Sequence, residues 1–362
     1  MGAEMPMLLA APDKFRGTVT ARQVSASISR GAAPLGWSVR EVPLSDGGEG
    51  LLDALSGLGG TLESVQVEGP LGGVVDAAWL RIGGLAVVEM AQASGLALVG
   101  GAEGNDAVRA TTRGTGQLIV TAARALAGLG TAPRQHGAAA GDRVTTVVVG
   151  LGGSATTDGG RGALEVIEEA GGLGGVELVG ACDVDVGFVE AADRFGPQKG
   201  ATPDQVVELA ARLEVVAGRY ADAYGVDVRS IPGTGAAGGF GGAIVALGGR
   251  LRSGYEVVTE LLGFRDLLHR SQLVVTGEGA LDATSLLGKV VGSVLTDASQ
   301  DAVPVLVIAG RASPDTVEEV ERLGATVVSL SERFGAERAI ADTARCIEET
   351  VVEYLANRQA NS

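Results

Sequence analysis

A glycine-rich turn at residues 150–160 brings hydroxyl groups and a carboxylate together. It reads Gly150-Leu-Gly-Gly-Ser-Ala-Thr-Thr-Asp-Gly-Gly160, after a segment typical of a strand and before one typical of a helix. Glycines let backbone N–H groups approach an anion, and a helix N-terminus adds favourable partial charge. Variants of this turn recur at 45–50, 233–239 and 276–279. Together the four turns predict a site for phosphate and metal.

Two lysines stand next to glycines in turns of the same kind. Lys199 lies within Phe195-Gly-Pro-Gln-Lys-Gly200, and Lys289 follows Gly288 directly. A lysine in such a frame is a common point charge for phosphate. The alternative is a solvated surface lysine, and the spacing alone leaves both interpretations open.

Carboxylates and two arginines accompany these turns. The acidic residues that fall at predicted strand ends or in glycine turns are Asp13, Asp46, Glu49, Asp158, Asp183, Asp185, Glu278 and Asp282. Singly, each is typical of a turn former or helix cap. Together they offer the oxygen ligands that Mg²⁺ prefers, or a base for a substrate hydroxyl. Arg16 and Arg113 have guanidinium groups that suit a small carboxylate, although each alone is more typical of the surface.

The order of the predicted elements indicates how these residues meet. Strands and helices alternate up to about residue 60 and again after residue 270, which is typical of a parallel sheet with helices on its faces. We therefore expect an open α/β domain built from 1–60 plus 270–362, with a second α/β domain of more antiparallel character inserted at 61–269. An exposed loop is expected at 131–143. Ligands of such sheets bind beyond the carboxyl ends of the strands.

Composition excludes several classes of protein. The chain has 362 residues, of which 46% are hydrophobic, and a formal charge of −16. So acidic a surface repels nucleic acid and anionic membranes. Cys182 and Cys346 lie far apart, which argues against a zinc site or disulfide framework and fits a reducing cytoplasm. No apolar run approaches the roughly 18 residues of a membrane helix.

The segment Gly150-Leu-Gly-Gly-Ser-Ala155 also fits the glycine pattern of dinucleotide-binding proteins. An NAD-dependent dehydrogenase is therefore the first alternative function. The pattern lies in mid-chain, whereas the fingerprint usually belongs to the first strand–helix–strand unit of a domain. The residues Ser154 to Asp158 also suit hydroxyl and carboxylate chemistry better than a plain glycine turn.

Nine motifs in order give the chain a family resemblance, over about residues 7–310. They are Ala11-Pro-Asp-Lys-Phe-Arg-Gly17, Pro43-Leu-Ser-Asp-Gly-Gly-Glu-Gly50, Glu89-Met-Ala-Gln-Ala-Ser-Gly-Leu96, Arg113-Gly-Thr-Gly116, the turn at 150–160, Cys182-Asp-Val-Asp185, Phe195-Gly-Pro-Gln-Lys-Gly-Ala201, Pro232-Gly-Thr-Gly-Ala-Ala-Gly-Gly239, and Thr276-Gly-Glu-Gly279 with Asp282 and Gly288-Lys289. In these motifs the chain resembles bacterial glycerate kinases of type I.

The resemblance implies a cytoplasmic kinase that uses ATP and Mg²⁺ to phosphorylate D-glycerate, with 2-phosphoglycerate favoured over 3-phosphoglycerate. It also implies two α/β domains, one of them flavodoxin-like and discontinuous. The expected partners are ATP and D-glycerate, with neither nucleic acid nor membrane, and a homodimer is left open.

The resemblance further implies roles for individual residues. Asp183 is expected to accept the proton of the glycerate hydroxyl, with Lys199 as a second catalytic residue. The expected substrate contacts are Lys14, Arg16, Asp46, Arg113 and Glu278. The expected nucleotide or phosphate contacts are Gly152, Gly153, Ser154, Asp158 and Lys289. The Mg²⁺ ligands stay open, with Asp46, Asp158 and Glu278 as candidates.

The chain departs from the family pattern in three places. Val186-Gly-Phe-Val189 replaces the usual Asn-Pro-Leu, the stretch between Glu169 and Val176 is short, and Ala283-Thr-Ser285 stands where many members have Gln-Thr. These changes bear on substrate range and open a second alternative, a non-catalytic family member that binds a metabolite. The retention of Asp183, Lys199 and Lys289 argues against that alternative.

Overall fold

The structure is a computed structural model that describes residues 5–129 and 145–360, so the loop expected at 131–143 lies outside the described residues. Its contacts divide the chain into two compact units. Unit 1 comprises Met1–Asp46, Asp53–Leu55 and Tyr255–Ser362, and unit 2 comprises Gly47–Leu52 and Ser56–Gly254. The domain boundaries expected at residues 60 and 270 stay a prediction.

The strands of the described residues follow in chain order. They are β1 Met7–Ala10, β2 Ser38–Glu41, β3 Thr61–Glu68, β4 Val74–Ile82, β5 Leu85–Glu89, β6 Thr146–Gly150, β7 Glu177–Ala181, β8 Arg250–Arg252, β9 Leu273–Leu281, β10 Val305–Ala312 and β11 Thr326–Ser329.

The α-helices of the same residues are numbered likewise. They are α1 Ala21–Ala32, α2 Leu51–Leu55, α3 Ala91–Ser94, α4 Arg113–Leu129, α5 Arg161–Glu169, α6 Ala191–Phe195, α7 Pro203–Tyr224, α8 Ala236–Ala246, α9 Gly254–Leu262, α10 Phe264–Leu268, α11 Val290–Gln300, α12 Pro314–Arg322, α13 Leu330–Phe334, α14 Ala336–Ala341 and α15 Thr343–Ala360.

Unit 1 contains a five-stranded sheet in which every pairing is parallel. The strand order is β11-β10-β9-β1-β2. Counted within the unit, this is the order 2-1-3-4-5 of flavodoxin-like folds, with its switch point between β1 and β9. The predicted flavodoxin-like parallel sheet with strands from both chain ends is thus confirmed.

Apolar side chains on one face of this sheet pack against two long helices. Leu8, Val275 and Ile308 from three neighbouring strands share a core with Ile28 of α1 and Ile347 of α15. Helix α1 begins at Ala21, because Thr20 and Gln23 form a reciprocal capping box at its first turn. The buried face fixes the sheet register, and with it the residues that reach the carboxyl ends of the strands.

Unit 2 contains a six-stranded sheet of mixed direction, in the order β3-β4-β5-β6-β7-β8. The pairings β3–β4 and β4–β5 are antiparallel, as expected for the inserted part of the chain, and the three pairings from β5 to β8 are parallel. Strand β8 was not predicted, because its three residues are too few to show an alternation of apolar and polar side chains. The α/β character predicted for the second domain is confirmed, and its sheet has a larger parallel part than expected.

Helix α8 has an unusual beginning that sequence analysis did not anticipate. Its residues Ala237, Gly238 and Gly239 have φ values of 54°, 71° and 93°. The strain falls on Ala237, because L-residues with a side chain rarely adopt this left-handed region. A β-carbon at Gly238 would lie 2.0 Å from the Thr156 carbonyl oxygen, so glycine is required there. The conformation packs the start of α8 against the turn after β6.

Candidate functional site

The carboxyl ends of the unit 1 strands surround a cavity of about 410 Å³. The segment after β1 supplies Asp13, Lys14 and Arg16, and the segment after β2 supplies Asp46. The end of β9 and the segment that follows it supply the remaining acids, Glu278 and Asp282. The structure therefore brings together residues that lie more than 260 positions apart in the sequence, at the switch point where this fold class binds ligands.

The backbone of Asp13 is hydrogen-bonded to β9. Its N–H donates to the Gly277 carbonyl at 2.9 Å, and its carboxylate accepts from the Lys14 backbone at 2.6 Å. The Lys14 amine lies 3.5 Å from the same carboxylate oxygen. Burial raises the pKa of Asp13 to about 6, the Lys14 charge opposes the rise, and the Asp46 charge adds to it. The charges of Asp13, Lys14 and Asp46 thus influence one another within the lining of the cavity.

Glu278 lies within β9, which continues to Leu281, so the glycine turn predicted at 276–279 is wrong and the segment is strand. The Glu278 side chain lines this cavity. Its Oε1 atom is buried and has no hydrogen-bond partner among the described residues. Burial raises its pKa to about 7, although a hydrogen bond from Ser285 and the charge of Lys289 act in the opposite direction. An orphaned buried carboxylate oxygen is costly unless a ligand, an ion or a proton satisfies it.

Lys289 precedes helix α11 and lines the same cavity. Its amine donates to the Thr284 hydroxyl at 2.7 Å, while Asp282 caps the short 3₁₀ turn Ala283–Leu286 through the Thr284 backbone at 2.8 Å. The N-terminus of α11 and the lysine charge both favour an anion here. This placement agrees with the predicted role of Lys289 without testing it.

Arg311 completes the lining and was missed by sequence analysis. It lies near the end of β10, opposite Ala280 of β9. The signal that could have revealed it is the abrupt change from the apolar run Val305-Leu-Val-Ile-Ala309 to a charged residue at a strand end. No glycine turn or family motif surrounds it.

In unit 2 the predicted phosphate turn follows β6 and is tied to the segment after β5. The Gly153 carbonyl accepts from Leu96 at 2.8 Å, and Ala155 donates to the Ser94 carbonyl at 2.9 Å. Gly153 is exposed and Gly152 is half-buried, whereas Ser154 is buried. Helix α5 begins at Arg161, well beyond the glycine pattern. In the dinucleotide fingerprint the helix opens within the pattern, so this geometry speaks against the dehydrogenase alternative.

Asp158 is engaged by four hydrogen bonds. Its Oδ2 accepts from the Thr112 backbone at 2.9 Å, from the Thr112 hydroxyl at 2.8 Å and from Gly162 at 3.2 Å. Its Oδ1 accepts from Gly160 at 3.0 Å. The carboxylate thus caps α5 and fastens the segment before α4 to the turn.

Lys199 is buried, with only 3% of its surface exposed. Its amine donates to the Thr156 carbonyl at 2.6 Å, and the Asn105 side chain bridges the carbonyls of Lys199 and Ala155. Burial lowers the pKa of Lys199 to about 7, and the Asp158 charge partly opposes this. The amine therefore supports the turn from inside the protein, an arrangement that the spacing of glycines could not reveal.

Asp183 and Arg113 occupy different surroundings in the same unit. Asp183 follows β7, whose last residue Ala181 lies in register with Gly150, so Asp183 and the turn after β6 share one edge of the sheet. Its Oδ1 accepts from the Gly254 backbone at 3.0 Å. Arg113, at the start of α4, lies 3.5 Å from each of three carboxylates, those of Glu68, Glu165 and Glu169.

Among the described residues, no group of three or more His, Cys, Asp or Glu side chains is placed to hold a metal ion. No helix among those same residues is long and apolar enough to cross a membrane. Mg²⁺ commonly needs only one or two carboxylates besides water and phosphate, so the first result leaves room for it.

Comparison with known proteins gives consistent matches over nearly the whole chain. A profile of the glycerate kinase family matches residues 8–171 and 167–358. The chain is 35% identical to the glycerate 2-kinase of Escherichia coli, covering 97% of this chain and 99% of the relative. It is 36% identical to a glycerate kinase of Halalkalibacterium halodurans, covering 84% and 86%. The crystal structure of a Salmonella typhimurium LT2 protein assigned as glycerate kinase 2 is similar, with a TM-score of 0.79, 30% identity and 99% coverage of both chains.

Proposed function

The chain belongs to the glycerate kinase family, and on that premise we propose that it transfers the γ-phosphoryl group of ATP to the 2-hydroxyl of D-glycerate. The family membership makes the protein a kinase. The preference for 2-phosphoglycerate is supported by the E. coli relative, a glycerate 2-kinase that aligns over almost its full length. The proposed setting is the cytoplasm, where ATP is supplied and where the free thiols of Cys182 and Cys346 stay reduced.

The observation that carries the proposal is the unit 1 cavity. Phosphoryl transfer demands little covalent chemistry from a protein and depends on positioned charges around the reacting groups. The cavity offers cations from Lys14, Arg16 and Lys289 together with acceptors from Asp46 and Glu278. A small acid that carries hydroxyl groups needs both kinds of partner, because its carboxylate seeks donors and its hydroxyls seek acceptors.

The unit 2 residues are proposed to serve the nucleotide and the proton. The turn with Gly152, Gly153 and Ser154 would face the phosphates, while Asp158 and Lys199 hold its shape from behind. Asp183 is proposed to take the proton from the glycerate hydroxyl, supported by its place at a strand end beside this turn. Arg113 stays a predicted substrate contact, and binding there would have to compete with its three carboxylate partners.

The residues present fit a magnesium ion in unit 1. Glu278 has a buried oxygen without a hydrogen-bond partner among the described residues, and Asp46 lines the same cavity. Asp158 is the weaker candidate, because four donors already engage its carboxylate. When bound, Mg²⁺ neutralises charge on the transferring phosphate. Lys14, Arg16 and Lys289 would bind and orient the anions around it.

One assay tests the function directly. Purified protein is incubated with Mg-ATP and D-glycerate, and the products are resolved by ³¹P nuclear magnetic resonance. We expect stoichiometric ADP and 2-phosphoglycerate, with no turnover when Mg²⁺ is chelated or D-glycerate is omitted. Formation of 3-phosphoglycerate instead would correct the position of transfer. ADP release that does not depend on D-glycerate, or none at all, would refute the proposed reaction.

A further inference from the structure

The two arginines of the unit 1 cavity differ from its two lysines. Lys14 lies 3.5 Å from the Asp13 carboxylate, and Lys289 donates to the Thr284 hydroxyl. The side chains of Arg16 and Arg311 make no hydrogen bond or ion pair with any residue in the described part of the chain, although four carboxylates line the same cavity. Both guanidinium groups are solvent-accessible and keep all their donors available for a ligand.

Arg311 is positioned by a tightly defined pair of strands. It lies opposite Ala280 in the parallel pairing of β10 with β9, two residues beyond the pair Ala309 and Glu278. A β-carbon at Gly310 would lie 2.5 Å from the Gly279 carbonyl oxygen, so only glycine permits this close approach. Arg311 therefore starts from rigid backbone, which suits a residue that selects a ligand by geometry.

Arg16 lies on the other side of β9 from Arg311, in the segment that follows β1. The loop that carries it is closed by the Phe15 N–H, which donates to the Val19 carbonyl at 2.9 Å, and the Phe15 ring is buried in the core. A β-carbon at Gly279 would lie 3.2 Å from the Arg16 backbone nitrogen. Glycine on β9 thus lets the loop of Arg16 and the strand of Arg311 border one space.

The charges of the cavity favour a small hydroxy acid. Four cations and four carboxylates line it. A carboxylate ligand would bind a guanidinium in a two-point arrangement that a lysine cannot match, and the carboxylates of the cavity would accept hydrogen bonds from its hydroxyl groups.

We propose that Arg311, together with Arg16, binds the carboxylate of the hydroxy-acid substrate in the unit 1 cavity and sets the preference for an acid over an uncharged polyol. This inference rests on the proposed function, because it assigns the recognition of the acceptor substrate. It adds Arg311 as a specificity-determining residue that lies outside every family motif of the sequence.

The test compares an acid substrate with its uncharged analogue. Steady-state kinetics are measured for the wild type, Arg311→Met and Arg311→Lys with D-glycerate and with D-glyceramide, at saturating Mg-ATP. In Arg311→Met we expect kcat/KM for D-glycerate to fall roughly 10²-fold, mainly through KM, because a charge-assisted two-point contact is lost. The value for D-glyceramide should change less than about threefold, since the amide carries no charge. Arg311→Lys should recover only part of the loss.

The matched control is Arg322→Met on α12. Arg322 is exposed and unpaired within the described residues and lies outside the cavity, so its variant should keep wild-type kinetics on both substrates. Thermal unfolding of each variant checks that the fold is retained.

Each contrary result has its own meaning. Equal losses on the acid and the amide would overturn the role of Arg311 in specificity. A KM for ATP that is raised in Arg311→Met when ATP is varied at saturating D-glycerate, with unchanged discrimination between acid and amide, would overturn it in favour of a phosphate contact. A wild type that phosphorylates D-glycerate while Arg311→Met keeps full preference for it refutes this inference alone. A wild type inactive on D-glycerate refutes the proposed function and this inference with it.

Discussion

The unit 1 cavity and the unit 2 turn have similar sequence patterns, but their polar side chains differ in whether they have partners within the protein. Both follow the carboxyl ends of parallel strands, and both combine glycines, carboxylates and a lysine. In unit 1 some polar groups have no partner among the described residues, namely Oε1 of Glu278 and the guanidinium of Arg311. In unit 2 the Asp158 carboxylate is engaged by four donors and the Lys199 amine is buried on a carbonyl.

The difference shows that a charged residue in a glycine turn can either support the protein structure or remain available to a ligand. Where the charged side chain hydrogen-bonds to other parts of the protein, it holds the backbone of the turn in place, and that backbone can then contact a ligand. Where partners are lacking, the charge itself can contact the ligand. The sequence pattern is the same in both cases, because the partners come from distant segments such as the one before α4.

The largest effect that we expect from breaking this contrast is on stability, in Asp158→Ala. The change removes a helix cap and leaves four donors without their acceptor, so the free energy of unfolding of unit 2 should fall by roughly 3 kcal/mol. Trp79 lies in β4 and Trp37 in unit 1. Chemical denaturation followed by fluorescence in a Trp37→Phe background therefore reports on unit 2.

The matched control is Asp282→Ala in unit 1, observed through Trp37 in a Trp79→Phe background. Asp282 is exposed and caps a short turn by accepting from the Thr284 backbone and hydroxyl and from the Ser285 backbone, so we expect a loss of about 1 kcal/mol or less. Equal losses in the two variants would contradict the contrast between a structural and a ligand-facing acid.

Much of the fold could be predicted because its signals are local. The capping box of Thr20 places the start of α1, and the alternation of strand and helix at both chain ends predicts the parallel sheet of unit 1. Strand β8 and the left-handed start of α8 could not be predicted, since both depend on the segments packed against them.

The site was predicted in part for the same reason. Lys14, Arg16, Asp46, Glu278 and Lys289 fall in glycine turns or family motifs, and the structure gathers them around one cavity. Arg311 has no such local signal, because only the pairing of β10 with β9 brings it there. The burial of Lys199 was equally hidden, since Asn105 and Thr156 surround it from distant segments.

A second, smaller effect would show whether unit 2 also contributes chemistry. If Asp183 takes the hydroxyl proton, Asp183→Asn should lower kcat by roughly 10²-fold with little change in KM for either substrate. The measurement is steady-state turnover of D-glycerate with Mg-ATP. Asp185→Asn, two residues further on, is the control and should stay near the wild-type rate. Near wild-type turnover in Asp183→Asn would remove the assignment of Asp183 as the base.

The smallest effect concerns the buried amine of Lys199 and appears only as a dependence on pH. Its pKa of about 7 in the folded protein lies below the ordinary value of 10.5, because burial disfavours the charged form. Between these values the unfolded chain binds more protons than the folded one, so this group makes the protein more stable as the pH rises. Relative to Lys199→Met, the wild type should gain about 2 kcal/mol in free energy of unfolding between pH 7 and pH 9.

Lys289→Met is the matched control for the pH dependence of Lys199→Met. Lys289 is half-buried at its cavity and donates to a hydroxyl rather than to a buried carbonyl. Its loss should change the free energy of unfolding by less than about 0.5 kcal/mol at both pH values, while weakening the binding of an anionic substrate. A difference between wild type and Lys199→Met that stays constant from pH 7 to pH 9 would mean that the Lys199 amine is hydrated. It would then belong with the ligand-facing cations of unit 1 rather than with the internal supports of unit 2.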